Sequence, residues 1–328
     1  MTRRYAQSIR VASTLQMSRE AWLALRGSGI GSSDAAAAIG LSPYKSPLSL
    51  WLEKTGRKVP EDLSAKPAVR WGTVLEPVLA GVYAEETGCR VRRVNAVLRH
   101  AEHGFMLANL DRELVGHPDG SGLLEIKTAG YHLAPQWEDG IPVAYQCQVL
   151  HQLAVTGHPW ADVAVLIGGQ DFRVYRVARD EARIADLVRL ESRFWRHVQS
   201  DLQPDPDGSD DAAAALQWLY PAERGPIVDW TETPEYNALF LQLVQLRERK
   251  QAVEAEEARV RQRLQQALGE AAGAICQGGR LSWRKSKDRL VPDLEQMASE
   301  HPEWLAAYSK PVPGSRRFLV QAERGGAA

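Results

Sequence analysis

The chain has 328 residues, 44% of them hydrophobic and 25% charged, with a formal net charge of −1. That length suits one large domain or two smaller ones, and the balanced charge argues against wholesale, nonspecific coating of nucleic acid while allowing a local basic channel. Cys89, Cys147 and Cys276 are odd in number, far apart and in no C-x-x-C spacing, so they support neither a disulfide framework nor a zinc site and fit a reducing cytosol. The opening, MTRRYAQSIRVAS, has basic residues with no apolar core segment after them. No run approaches the roughly eighteen apolar residues that a membrane span needs, so neither export nor a span is expected.

In chain order, Ser18 is placed to cap a short helix through Arg26, with Trp22, Leu23 and Leu25 on its apolar side and Gly27 as its stop. The following GSGIGSSDAAAAIGLSPYKSP reads as a loop opening onto a helix at 34–39. Such a helix start offers free N–H groups to a phosphate, and Arg26 just upstream can add a bidentate contact. The alternative is a capped loop that packs two helices. Ser46 and Pro47 begin another helix, with Leu48, Trp51 and Leu52 inward and Gly56 at its end. Over 67–87, Trp71, Leu75, Val78, Leu79 and Val82 recur at helical spacing. Glu76 lies beside this stripe, and Pro77 inside it is expected to kink the helix and free a carbonyl. Residues 90–100 read as one strand, whose Arg90, Arg92, Arg93 and Arg99 are either a DNA-facing edge or ordinary edge protection.

The stretch 110–128, LDRELVGHPDGSGLLEIKT, reads as an antiparallel hairpin turning near Pro118 and Asp119. Alternation puts Glu125 and Lys127 on one face, and folding at the turn sets Asp111 opposite Glu125. Two carboxylates and an ammonium then converge. An unpaired acid pair is repulsive, and a hard divalent cation with oxygen ligands makes it sensible. The competing reading is a solvated edge carrying a weak cross-strand ion pair. Asp119 is a rival acid, but at roughly 3.3 Å per residue it falls about 20 Å from Glu125.

Beyond the hairpin, 141–156 is helical, with Tyr145, Gln148 and Gln152 sharing a face. Residues 160–177 form a second hairpin turning at GGQD, and Asp180 caps a helix to about 202 whose buried side carries Ile184, Leu187, Val188, Trp195 and Val198. QPDPDGSDD is the strongest break in the chain, giving a domain over 1–205, a linker over 206–230 and an extension over 231–328. In that extension Thr233 and Pro234 start a long helix with Leu239, Leu243, Leu246, Val253, Val260 and Leu264 in alternate fours and threes, interrupted by Lys250 and Glu257. It reads as a coiled-coil arm. After Gly278 and Gly279, RLSWRKSKDR reads as a short basic strand able to track a nucleic-acid backbone, with Arg316, Arg317 and Phe318 closing a small sheet on it or simply solvated.

Taken in order, LRGSGIGSSDAAAAIGLSPYKSP, WGTVLEPVLAGVYAEETG, ANLDRELVG, GLLEIKTAG and YQCQVLHQLAVTG resemble the phage-type exonucleases of the lambda-exonuclease and YqaJ recombinase group, within the PD-(D/E)XK nuclease superfamily. The resemblance covers 22–157. It implies an α+β fold: an α/β/α restriction-endonuclease-like core with a central mixed sheet flanked by helices, here followed by a helical arm and a small β extension. It implies that Asp111, Glu125 and the Ile126 carbonyl bind magnesium, or manganese, that Glu76 completes the acidic set, that Lys127 positions the attacking water and that Gln148 supports the site with Tyr145 packed beside it. Arg26 and Ser33 would hold a terminal 5′ phosphate. The activity implied is 5′ to 3′ digestion of double-stranded DNA ends, leaving 3′ overhangs for a single-strand annealing protein, in the bacterial or phage-infected cytosol and often by a ring-shaped trimer. Members usually carry glycine after the first acid, whereas here Arg112 and Glu113 follow Asp111. An endonuclease using the same metal site, or a catalytically idle DNA-binding or assembly module, are the competing functions.

Overall fold

The computed structural model describes residues 8–322; residues 1–7, on which the reading of the opening segment partly rests, and 323–328 lie outside the described residues. The chain divides into two units, Met1–Leu219 and Tyr220–Ala328. The first runs β1 (Ser8–Ser13), α1 (Arg19–Gly27), β2 (Ile30–Gly31), a 3-10 turn (Ser32–Asp34) leading straight into α2 (Ala35–Ala38), α3 (Pro47–Lys54), α4 (Pro67–Thr87), β3 (Arg90–Arg93), β4 (Ala96–His100), β5 (Met106–Ala108), β6 (Arg112–Val115), β7 (Gly122–Ala129), a second 3-10 turn (Tyr131–Trp137), α5 (Val143–Thr156), β8 (Trp160–Ile167), β9 (Asp171–Ala178), α6 (Glu181–Gln199) and α7 (Asp210–Leu219). The helices start where their capping side chains stand. Ser18 Oγ accepts from Ala21 N at 3.2 Å, Ser46 Oγ from Ser49 N at 3.1 Å and Asp180 Oδ1 from Arg183 N at 3.1 Å, each satisfying an amide that the helix cannot. Gly157 ends α5 in the left-handed region, at φ 74°, where a side chain would be strained.

Five strands form the central sheet in the order β3-β6-β7-β8-β9, with β7 and β8 parallel and the other pairs antiparallel. Along β7 the side chains alternate. Leu124 and Ile126 join Leu79, Ala80 and Tyr83 of α4 on one face, and Leu123 joins Val149, Leu150 and Leu153 of α5 on the other. The sheet is therefore covered on both sides, which is why β8 reads as an almost uninterrupted apolar run. Glu125, between Leu124 and Ile126, is carried to the α5 face by the same alternation. A second, four-stranded sheet, β1-β4-β5-β2, sets the loop after α1 beside β5 through a parallel pairing of Ile30 with Met106. This is the α+β class with a mixed, helix-flanked sheet.

Four expectations need correction. The arginine-rich segment is two strands, because β3 pairs with β6 while β4, past Asn95, pairs with β1 and β5 in the other sheet. In α4, Leu75, Leu79 and Tyr83 turn inward at four-residue steps, so Trp71 and Val78 of the expected stripe stand 57% exposed. Part of the expected linker is α7, whose Ala212 and Ala215 are buried; Ser46 N and Oγ of the α3 cap both donate to Asp211 Oδ2 at 2.7 Å. Arg316, Arg317 and Phe318 lie in no strand.

The second unit comprises α8 (Pro234–Leu268), β10 (Gly273–Cys276), β11 (Gly279–Ser282), α9 (Leu294–Glu300) and α10 (Pro302–Tyr308). β10 and β11 form an antiparallel hairpin that ends at Ser282, short of the basic residues beyond it. No helix among the described residues is long and apolar enough to cross a membrane.

Candidate active site

β6 pairs with β7 so that Arg112 faces Leu124 and Glu113 faces Leu123, a register that continues to Asp111 opposite Glu125. The ladder stops there, leaving the Ile126 amide without a strand partner. Asp111 Oδ2 accepts from it at 2.9 Å, which fixes the carboxylate against β7. In an antiparallel strand the N–H and C=O of one residue point the same way, so the Ile126 carbonyl faces the same opening beside Asp111.

Glu125 is 2% exposed and fully engaged. Its Oε1 accepts from Lys127 Nζ at 2.5 Å and from Gln148 Nε2 at 2.6 Å, and its Oε2 accepts from Gln152 Nε2 at 2.6 Å. Lys127 also donates to Gln148 Oε1 at 3.0 Å, and its ammonium lies 5.0 Å from the centre of the Tyr145 ring, itself stacked on Trp137. α5 presents Tyr145, Gln148 and Gln152 together because they sit three and four residues apart. Burial and the Glu125 charge push the Asp111 carboxyl up to about 8. Burial alone would lower the Lys127 ammonium, but Glu125 and Asp111 outweigh it and hold it above its ordinary range, so it stays cationic.

Glu76 reaches this region from α4 but is drawn aside. Arg112, buried in the sheet, donates through Nη1 to Glu76 Oε1 at 2.5 Å and to its neighbour's carbonyl, Asp111 O, at 2.6 Å. The residue that departs from the family's glycine is thus the one that holds the helix acid. Glu113 points elsewhere, toward Arg92 and His158. Asp119 stays at the hairpin tip near His117 and Arg176. Of the four strand arginines, Arg93 lines, with Arg19 and Trp22, a groove of about 510 Å³ that reaches Glu76 and Asp111.

The loop after α1 arrives from the other side. Arg26 Nη2 donates to Ser33 Oγ at 3.1 Å and to Asp34 Oδ1 at 2.8 Å, and its guanidinium lies over Trp22 at 4.7 Å. Lys54 Nζ donates to Asp34 Oδ2 and to the Arg26 carbonyl, each at 2.8 Å. Burial would raise the Asp34 carboxyl, but Lys54 and Arg26 hold it well below the usual range. A cavity of about 230 Å³ joins the two halves, lined by Arg26, Ser33, Asn109, Asp111 and Gln148 among others. Sequence reasoning missed Asp34, Lys54 and Arg112 as parts of this arrangement. Gln152 had a signal in its shared helix face with Gln148, and Arg112 one in its departure from the family's glycine.

For a hard cation the donor chemistry is apt: the Asp111 carboxylate, Glu125 and the Ile126 carbonyl are oxygens around an acid pair with one neutralising ammonium. Among the described residues no three acidic, histidine or cysteine side chains converge on one point, and Glu76 is bonded to Arg112. The upward shift of the Asp111 carboxyl has a testable consequence. A carboxyl with a raised folded-state pKa binds its proton more tightly in the fold, so stability falls as pH rises from near 4 through about 8. The melting temperature of metal-free protein should decline across that window, and less so in Asp111→Asn; equal declines would contradict the assignment.

Residues 21–159 match the YqaJ-like viral recombinase domain. The uncharacterized protein YqaJ of Bacillus subtilis (strain 168) is 39% identical over 226 residues, covering 67% of this chain and 70% of that protein. Among solved structures, the alkaline exonuclease LHK-Exo of Laribacter hongkongensis aligns with a TM-score of 0.46 and 24% identity, over 56% of this chain and 93% of its own. A phage related exonuclease from Haemophilus somnus 129PT aligns with a TM-score of 0.37 and 12% identity, over 55% and 99%.

Proposed function

Since this chain belongs to the YqaJ-like viral recombinase family, we propose that it is a magnesium-dependent exonuclease of the PD-(D/E)XK type that degrades double-stranded DNA from its 5′ ends. The observation that carries this reading is the cavity in which Arg26 and Ser33 meet Asp111 and Gln148. A phosphate held at Arg26 and Ser33 marks a chain terminus, and the next phosphodiester then lies toward Asp111. Only Nη2 of Arg26 is engaged by Ser33 and Asp34, which leaves the rest of the guanidinium fork for a phosphate.

Asp111, Glu125 and the Ile126 carbonyl would hold magnesium, with manganese as an alternative. When bound, the ion supplies positive charge to the phosphoryl oxygens as the pentacoordinate transition state forms. In the reaction water oxygen bonds to phosphorus in line with the leaving O3′, giving up a proton to solvent, the P–O3′ bond breaks, the 3′ oxygen takes a proton from solvent, and the new end carries a 5′ phosphate. Lys127, held cationic between Glu125 and Gln148, donates a hydrogen bond to the water and offsets charge on the phosphate; it is a poor proton acceptor. Gln148 and Gln152 keep Glu125 immobile. Glu76, tied to Arg112, acts on the set through Asp111 rather than as a direct donor. The 3′ overhang would pass to an annealing protein, and by family resemblance the enzyme would work as a ring of three copies.

The test is digestion of linear duplex with 5′-phosphorylated or 5′-hydroxyl ends, with magnesium or with EDTA, beside a closed circle. Magnesium-dependent loss of the linear phosphorylated strand alone is the expected result; cutting of the circle would identify an endonuclease, and no cutting a binding module. Arg26→Ala should remove the preference for phosphorylated ends, about 10- to 100-fold for a charge-assisted hydrogen bond of roughly 1.5–3 kcal/mol, while leaving slow digestion of hydroxyl ends intact. A preference that survives this substitution would place the terminal phosphate elsewhere.

A further inference from the structure

α8 is 35 residues long and none of them is buried. At 1.5 Å per residue it extends about 52 Å. Leu239, Leu246, Val253, Val260 and Leu264 are each 45–65% exposed along one stripe. A helix of this kind draws most of its stability from packing an apolar face, and a seam of alternate threes and fours is the width of one opposing helix.

The charges say which helix. Arg247, Arg249 and Lys250, with Glu248 among them, form a mainly basic block, and Glu254, Glu256 and Glu257 form an acidic block after the three uncharged residues Gln251, Ala252 and Val253. Within α8 these groups have only exposed contacts one turn apart, Lys250 to Glu254 at 3.6 Å and Glu257 to Arg261 at 3.5 Å. Lys250 and Glu257 occupy the seam itself. Two copies in parallel register would set Lys250 on Lys250 and Glu257 on Glu257, like charges inside a core. Two antiparallel copies, crossing between Gln251 and Ala252, bring Arg247 near Glu254 and Arg249 near Glu256 of the second copy, and set Lys250 opposite Val253 and Glu257 opposite Leu246, away from their own like charges. The same crossing faces Leu239 with Leu264 and Leu243 with Val260. The helix is complementary, in shape and in charge, to its own reverse.

We propose that α8 docks antiparallel on α8 of a second copy of this chain, forming a two-stranded coiled coil centred near Gln251. This contact is independent of the nuclease chemistry and of any assembly made by the first unit.

The experiment uses the full chain carrying Cys276→Ser, which removes the exposed native thiol. One pool carries Leu239→Cys and another Leu264→Cys; after subunit exchange and oxidation, a disulfide-linked dimer is expected in the mixture and in neither pool alone. Cross-linking within the Leu239→Cys pool would show a parallel pair, and none in the mixture would overturn the proposal. As a check that leaves the apolar seam intact, a chain with Arg247, Arg249 and Lys250 all changed to Glu should halve its mass in sedimentation at micromolar concentration. Mixing it with a chain in which Glu254, Glu256 and Glu257 are all Lys should restore the larger species. An unchanged mass in the acidic chain would refute the charge pairing even if the cysteine chains misfold.

Discussion

Lys127→Ala should lower single-turnover release of nucleotides by about 10²- to 10³-fold, the scale on which removing one preorganised donor from a developing anion costs about 3–4 kcal/mol. The ammonium is inserted between Glu125 Oε1 and Gln148 Oε1 with the Tyr145 ring 5.0 Å away, two of its three N–H groups engaged and the third left for the water. Alanine therefore removes charge without creating room that another residue fills. Lys127→Arg should not rescue the rate, because a planar guanidinium cannot occupy the point at which those three groups meet. DNA binding should change little, since α5 still holds Glu125 through Gln148 and Gln152, whereas the melting temperature of metal-free protein should fall, because the buried Glu125 loses its counter-charge. A variant within tenfold of the unaltered rate would remove Lys127 from the reaction.

The largest effect on stability is expected at Glu191. His151 and Glu191 are both wholly buried, with His151 Nδ1 lying 2.8 Å from Glu191 Oε1 and Nε2 lying 3.0 Å from the Leu107 carbonyl. A carbonyl only accepts, so Nε2 donates to it and Nδ1 shares its proton with Glu191. The pair ties α5 to α6 and to β5. Glu191→Ala strands the imidazole in an apolar interior at a cost of about 3–5 kcal/mol, which for a unit of this size lowers the melting temperature by on the order of 10 °C. Calorimetry of the intact chain checks this. Replacing both partners with apolar residues, His151→Leu with Glu191→Met, should recover much of the loss, because no unpaired polar group remains. A double variant no more stable than the single would show that packing volume, not the orphaned group, sets the cost. Because Gln148 and Gln152 flank His151 on the same helix, lowered activity in Glu191→Ala would follow from a displaced α5.

What the residues disclosed in advance follows the range of the forces involved. Period and capping are local, so α1, α3, α4, α5 and α6 were legible from Ser18, Ser46, Pro67, Thr156 and Asp180 to within a few residues. The hairpin register was legible too, because the turn at 116–121 and the alternation of Leu123 to Lys127 leave one arrangement that buries the apolar side. Pairings between distant segments were not. Nothing near Arg90 says that the strand after Val94 joins another sheet, and nothing in Asp34 announces Lys54, twenty residues on, as its partner. Arg112 showed only as a departure from the family's glycine; its role depends on Glu76 approaching from α4. Periodicity also overstated the stripe of α4, since it counts apolar residues without knowing where the sheet ends.

The segment after α6 had the composition of a hinge, yet it behaves as a strap. Arg57 grips Asp201 through both guanidinium nitrogens at 2.7 and 2.8 Å, and Asp211 receives both the amide and the hydroxyl of Ser46. The first unit is therefore closed on itself by residues that come last in it, and its boundary falls after Leu219 rather than at the proline-rich run. A gene crossover placed after Leu219 would keep every residue of the first unit. A crossover fifteen residues earlier would deliver a catalytic unit with the α3 cap unbuckled.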